Sequence, residues 1–199
     1  MILASIKPYY YYLIVEEKKK IEVRKMALKN LPQDIAFYMS KDEKSFAKIP
    51  KEFQEKYRKY FGKIGMRVVC DEVEEFHEWE LSPQGKFVDF ERERLENFLT
   101  AACLSEEEVV RYRENLPYFK PLYGWKLSNL RIYDEPKELI EFRACNFKSM
   151  NGTDVCGNYD CKYYQDSGSY MIPPSCAKNG CRITRPPQSY MFVEELKEV

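Results

Sequence analysis

Apolar and polar positions alternate with period two in several short runs of this chain and with a helical period in others, and the runs are irregularly spaced. Ile2 to Ile6 is a short apolar strand that stops at Lys7-Pro8. Pro8 suits the first turn of a helix, where its missing N–H costs nothing, and Tyr9 to Glu17 fits that helix. Ile21 to Lys25 alternates, which sends Ile21 and Val23 to one face and Glu22 and Arg24 to the other. Ile35 to Met39 is a further strand, and Lys41 to Tyr60 reads as a charged amphipathic helix or an insertion. Gly62 and Gly65 bracket a turn before a strand from Met66 to Cys70.

Residues 89 to 116 read as helical, with Leu95, Phe98 and Leu99 on one apolar face. Ser105 followed by three glutamates has the form of a capped helix start. Tyr123 to Leu127 and Leu130 to Tyr133 are short strand candidates, and Tyr190 to Leu196 closes the chain as another. Asn151 to Ser175 is polar and rich in Gly, Asn and Asp, too poor in apolar side chains to build a core unaided. Strands at both ends with helices between them predict an α+β fold, mainly β. A small mixed or closed barrel with helical insertions fits better than regular βαβ units, because no Gly-rich dinucleotide turn appears.

Length and charge narrow the picture. The 199 residues suffice for one domain with additions, expected at about 40–60 and 77–116. Lys and Arg together number 32, as do Asp and Glu, so net charge gives no argument for coating a duplex. The charges are segregated, however. Residues 1–67 carry 16 basic against 8 acidic side chains, and residues 68–116 carry 5 against 14. The first block is positive enough to attract a phosphate-bearing ligand if it shares a face. The apolar start contains Lys7 and Pro8 and is too short to span a bilayer, so no membrane partner and a cytoplasmic location are expected.

Lys19, Glu22 and Arg24 are the densest candidate site. Lysine offers a point charge to phosphate, and arginine offers a planar fork for phosphate or a base edge. Glu22 can orient Arg24 or accept an amino N–H of a base. The same trio also fits a hydrolase in which an acid activates water, or simply a salt-bridged strand pair. Lys7 is a second cationic wall candidate. Trp125 fits either base stacking beside Lys126 or core packing. Gln188 and Ser189 fit either base-edge reading or local capping after Pro186-Pro187.

The seven cysteines form a separate question. Cys156 and Cys161 are separated by four residues, as are Cys176 and Cys181, and fourteen residues separate the pairs. Two matched pairs flanking a polar loop fit a structural Zn²⁺ held by four thiolates, with Cys145 a possible substitute, and would pin the segment of about 145–185. Free thiols and disulfides are the alternatives. Cys70 and Cys103 read as core residues and His77 as a surface histidine.

Several stretches resemble the ASCH domain, in the version carried by phage and prophage genomes. They are Ser5-Ile6-Lys7-Pro8, Glu17 to Lys25, Cys70 to Phe76, Trp125 to Leu130 with Ile132-Tyr133-Asp134, and Arg185 to Tyr190 with Val193-Glu194. The resemblance implies a small PUA-like β-barrel that binds RNA or a nucleotide, including a modified one, in a cleft lined by Lys19 to Arg24. In the branch of that family that hydrolyses acylated cytidine, the motif is Lys, two residues, then Thr, with a Glu from a later strand. Here Lys19 matches the lysine, Glu22 stands at the threonine position, and Glu72 is the counterpart expected for the later glutamate. The resemblance therefore implies binding of RNA or a nucleotide first. Hydrolysis by Lys19, Glu22 and Glu72 comes second, and capture of a host protein through residues 89–116 third.

Overall fold

The computed structural model describes residues 1–77, 89–114, 116–117, 120–144, 147–150, 153–156, 162, 164–166, 168, 174–176 and 181–196. Its centre is a seven-stranded mixed sheet. The strands are β1 (Ile2–Ile6), β2 (Ile21–Arg24), β3 (Gln33–Met39), β4 (Ile64–Phe76), β5 (Leu122–Lys137), β6 (Phe142–Ala144) and β11 (Tyr190–Glu195). The order across the sheet is β2-β5-β4-β3-β1-β11-β6. Only the β1–β3 pair is parallel, with Ile2 opposite Ile35 and Ile6 opposite Met39. The other five pairs are antiparallel.

The expected barrel does not form. The strands β2 and β6 stand at opposite rims and do not pair with each other, so the sheet is open. The α+β class stands, but closure does not: each rim strand is only three or four residues long and finds its single sheet partner on the inner side. Four further short strands, β7 (Phe147–Met150), β8 (Thr153–Cys156), β9 (Tyr164–Gln165) and β10 (Ser175–Cys176), form two separate two-stranded ladders.

The period-two pattern separates two cores across the sheet. Ile2, Ala4 and Ile6 of β1, with Ile35, Phe37 and Met39 of β3, face helix α1 (Pro8–Val15) and its aromatic neighbours. Leu3, Ala36 and Tyr38 face the other way, onto Phe142, Ile183 and Val193. Fully burying such side chains stabilises by about 1.5–3 kcal/mol each, which fixes the register because a one-residue slip would exchange the faces.

Two regions differ in detail from their sequence pattern. The acidic run after Cys70 continues β4 to Phe76, because after a register shift at Asp71 it pairs with β5 from Glu72, opposite Lys126, to Phe76, opposite Leu122. The two strand candidates at 123–133 are one long strand for the same reason. Residues 41–60 form two short helices, α2 (Glu43–Phe46) and α3 (Lys51–Arg58), with Pro50 at the N-cap of α3. The second insertion forms α4 (Asp89–Ala102) and α5 (Glu106–Arg113). Ser105 caps α5 in a reciprocal box with Glu108. Phe98, Ala102 and Val109 of this helical pair pack against Ile21, Val23, Phe76 and Leu122, with the Phe76 and Phe98 rings stacked 4.6 Å apart. Among the described residues no helix is long and apolar enough to cross a membrane.

Candidate functional site

The strand β2 is the hinge between core and cleft. Its apolar positions Ile21 and Val23 sink into the α4–α5 cluster, so the alternation drives Glu22 and Arg24 to the opposite face. There they line a cleft of about 740 Å³, a size typical of small-molecule sites. Lys19 joins them from the loop before the strand. One wall comes from α1 and the segment leading into α2, and the other from α5.

The floor is a chain of alternating charge. Lys19 Nζ lies 3.4 Å from Glu22 Oε2, and Arg24 Nε lies 3.0 Å from Glu22 Oε1. The three side chains are only 1%, 9% and 8% exposed for Lys19, Glu22 and Arg24 respectively. The Arg24 Nε–H has no aligned acceptor, so its contact with Glu22 is an ion pair rather than a linear hydrogen bond. The cations are anchored elsewhere. Lys19 Nζ donates to the carbonyl of Ala102 at the end of α4 at 2.6 Å, and Arg24 donates to the Ser5 carbonyl at 2.6 Å. Aromatic faces complete their shells: Lys19 sits over the Tyr10 ring and Arg24 over Trp125.

Burial is the leading influence on Lys19 and holds its ammonium below the ordinary lysine value, while Glu22 pulls in the opposite direction. The Tyr10 hydroxyl donates to Glu108 Oε1 at 3.5 Å across the cleft. Burial, with Glu108 and Glu22 adding to it, pushes the Tyr10 phenol up to about 12. It therefore stays a neutral donor at physiological pH.

The walls are less constrained. Lys7, Lys44, Lys48 and Arg111 all line the cleft, are exposed, and have no ion-pair partner among the described residues. Asp42 is used as the N-cap of α2, accepting from the Ser45 amide. Glu108 serves the capping box of α5. Tyr9, Tyr10 and Tyr112 supply aromatic surface.

The sequence candidates divide. Lys7, Lys19, Glu22, Arg24 and Gln188 all line the cleft. Trp125, Lys126, Ser189 and Glu72 are not among its lining residues. Trp125 is fully buried beneath Arg24, with Nε1 donating to the Met26 carbonyl at 3.1 Å, so it cannot stack on a ligand without repacking. Lys126 is spent on Glu72 at 2.8 Å and Glu74 at 3.8 Å, which removes both Lys126 and Glu72 from the expected arrangement. Ser189 sits by Met26, its Oγ 3.9 Å from the sulfur. Ser40, Lys44, Lys48, Glu108, Arg111 and Tyr112 are the additions. Only the α5 group carries a sequence signal, Glu108, Arg111 and Tyr112 at i, i+3, i+4 on one helix face.

Of the proposed zinc ligands, Cys161 and the alternative Cys145 lie outside the described residues, as do the side chains of Cys156 and Cys176. Cys181 is half-buried at the start of the described segment 181–196. Among the described residues no group of three or more His, Cys, Asp or Glu side chains is arranged to hold a metal.

No protein-family model matches the chain, and no curated protein does. Among solved structures, the ASCH protein of Zymomonas mobilis aligns over 69% of this chain and 73% of its own, at 16% identity and a TM-score of 0.44. A tyrosine-to-phenylalanine variant of that protein aligns over 69% of this chain and 75% of its own, at 15% identity and 0.46. A serine-to-alanine variant aligns over 97% and 87%, at 12% and 0.45. At these identities and TM-scores the likeness transfers no residue role.

Proposed function

We propose that this protein binds a nucleotide, free or as a unit of single-stranded RNA, in the cleft around Lys19, Glu22 and Arg24. The observation that carries the reading is the pairing of a self-compensated ionic floor with a rim of tyrosines and of cations unpaired among the described residues, in one small-molecule-sized hollow. Floors of this kind recognise polar edges, and tyrosine walls accept a base by stacking, at about 1–3 kcal/mol per base. Gln188, from the stretch similar to the prophage closing motif, adds an amide for edge reading.

Binding is favoured over hydrolysis by the state of the acids. Both Glu22 oxygens are occupied by cations, which leaves neither turned to a water, and Glu72 is paired with Lys126 away from the cleft lining. The buried Lys19 beside Glu22 is the one arrangement that favours catalysis instead. Titration of nucleotides and short RNA against the wild-type chain and against Lys7→Ala and Arg111→Ala tests the proposal. Saturable binding that weakens with salt and in both variants, without product, is the expected result. Release of product from an acylated cytidine or RNA, abolished in Glu22→Gln, would replace binding with hydrolysis.

A further inference from the structure

The cleft is chemically polarised along its length. At the floor, each cation already has a carbonyl acceptor, Ala102 for Lys19 and Ser5 for Arg24, and both share the Glu22 carboxylate as counter-ion. An arriving dianion there would have to compete with Glu22 at contact distance. Toward α2 the situation is reversed. Lys7, Lys44 and Lys48 are three cations without ion-pair partners among the described residues, against the single carboxylate of Asp42, which is committed to the α2 cap.

These groups belong to one wall. The Tyr9 amide donates to Ser45 Oγ at 3.1 Å, and the Ser40 amide donates to the Ile6 carbonyl at 2.8 Å, so the start of α1 and residues 40–48 are joined. Ser40 Oγ is shielded from solvent and has no hydrogen-bond partner among the described residues, although Ser40 lines the cleft. A buried hydroxyl without a partner is costly unless something accepts from it. The first turn of α1 carries no acidic residue to offset the three lysines.

We infer that the Lys7–Lys44–Lys48 wall, with the Ser40 hydroxyl, is a phosphate subsite, so that the ligand class is a phosphorylated nucleoside rather than a free one. Its base then lies toward Glu22, Tyr10 and Tyr112. The inference rests on the nucleotide reading above and assigns the phosphate to residues different from the Lys19–Arg24 floor. The phosphate can come from a free mononucleotide or from an RNA strand.

Calorimetric titration of the full chain with the four common nucleosides, their 5′-monophosphates, and a short single-stranded oligoribonucleotide with and without a 5′-phosphate tests it. A monophosphate should bind at least about tenfold more tightly than its nucleoside at low salt, the scale of one charge-assisted contact. That ratio should fall to within about threefold in Lys44→Gln/Lys48→Gln. It should persist in Lys59→Gln, which removes a lysine outside the cleft lining. Dependence of oligomer binding on the 5′-phosphate would assign the subsite to a free or terminal phosphate, and independence would assign it to an internal one. Equal binding of nucleoside and monophosphate overturns the subsite and leaves the nucleotide cleft standing. A preference that survives Lys44→Gln/Lys48→Gln overturns it too. Failure of every probe to bind overturns both.

Discussion

Replacing Glu22 with Gln removes the one negative charge between two buried cations and changes almost nothing in shape. Lys19 and Arg24 would then keep their carbonyl anchors but lose the carboxylate 3.4 and 3.0 Å away. Breaking a buried ion pair from one side costs about 3–5 kcal/mol, because the remaining charge stays desolvated. The two carbonyl contacts and the aromatic faces retain part of the stabilisation, so the expected loss at pH 7 is about 3 kcal/mol. The pH dependence makes the test sharper. Lys19 has a folded-state pKa already lowered by burial and supported by Glu22, so the substitution lowers it further. A depressed lysine means that the unfolded chain binds more protons, so stability rises with pH between the folded value and the unfolded value of about 10.4. That rise begins at lower pH in Glu22→Gln than in the wild type. The difference between the two proteins should therefore narrow as pH rises toward about 10, leaving the Arg24 share. Urea unfolding followed by circular dichroism at pH 7 and pH 10 measures both. A loss below about 1 kcal/mol at pH 7, unchanged at pH 10, would refute the picture of a charge-compensated floor. Adding Lys19→Met to Glu22→Gln should restore part of the stability.

Gly124→Ala would place a methyl 2.5 Å from Phe98 Cε2 and 2.9 Å from Ile21 Cγ2, and overpacking of that kind costs about 1–3 kcal/mol. Thermal melts should record it, with loss of amide protection concentrated in α4. Ser105→Ala removes the capping box and should cost about 1 kcal/mol, seen as faster hydrogen exchange in α5 and weaker nucleotide binding through its cleft wall. Elemental analysis of the purified chain checks the zinc reading of Cys156, Cys161, Cys176 and Cys181. One zinc per chain, reduced in Cys176→Ser, is expected, and absence of metal would leave free thiols or disulfides, which thiol titration separates.

Much of this arrangement was written in local periodicity. The alternation at Ile21 to Arg24 foretold which side chains would meet the cleft, and Pro8 and Ser105 marked two helix starts. Closure into a barrel was not legible, since it depends on whether two rim strands far apart in sequence pair, and no local pattern encodes that. Trp125 shows the same limit. An indole next to a lysine on a strand fits stacking and core packing equally, and only β-pairing with Glu22 and the guanidinium overhead decide for the core. Glu72 was drawn from the cleft by its cross-strand partner Lys126, a contact set by register rather than by spacing. The Lys44–Lys48 wall escaped because exposed lysines on a short helix and the turn after it ordinarily mark only solvent.

The ammonium of Lys19 ends on a carbonyl that belongs to the second insertion, and the amide of its neighbour Lys20 ends on the carbonyl one residue earlier. The helical addition is thus not an ornament on a finished scaffold. A shortened chain without it would expose the outer margin of β2 and strip a desolvated cation of its nearest dipole, so any relative lacking those helices has to solve the lysine differently.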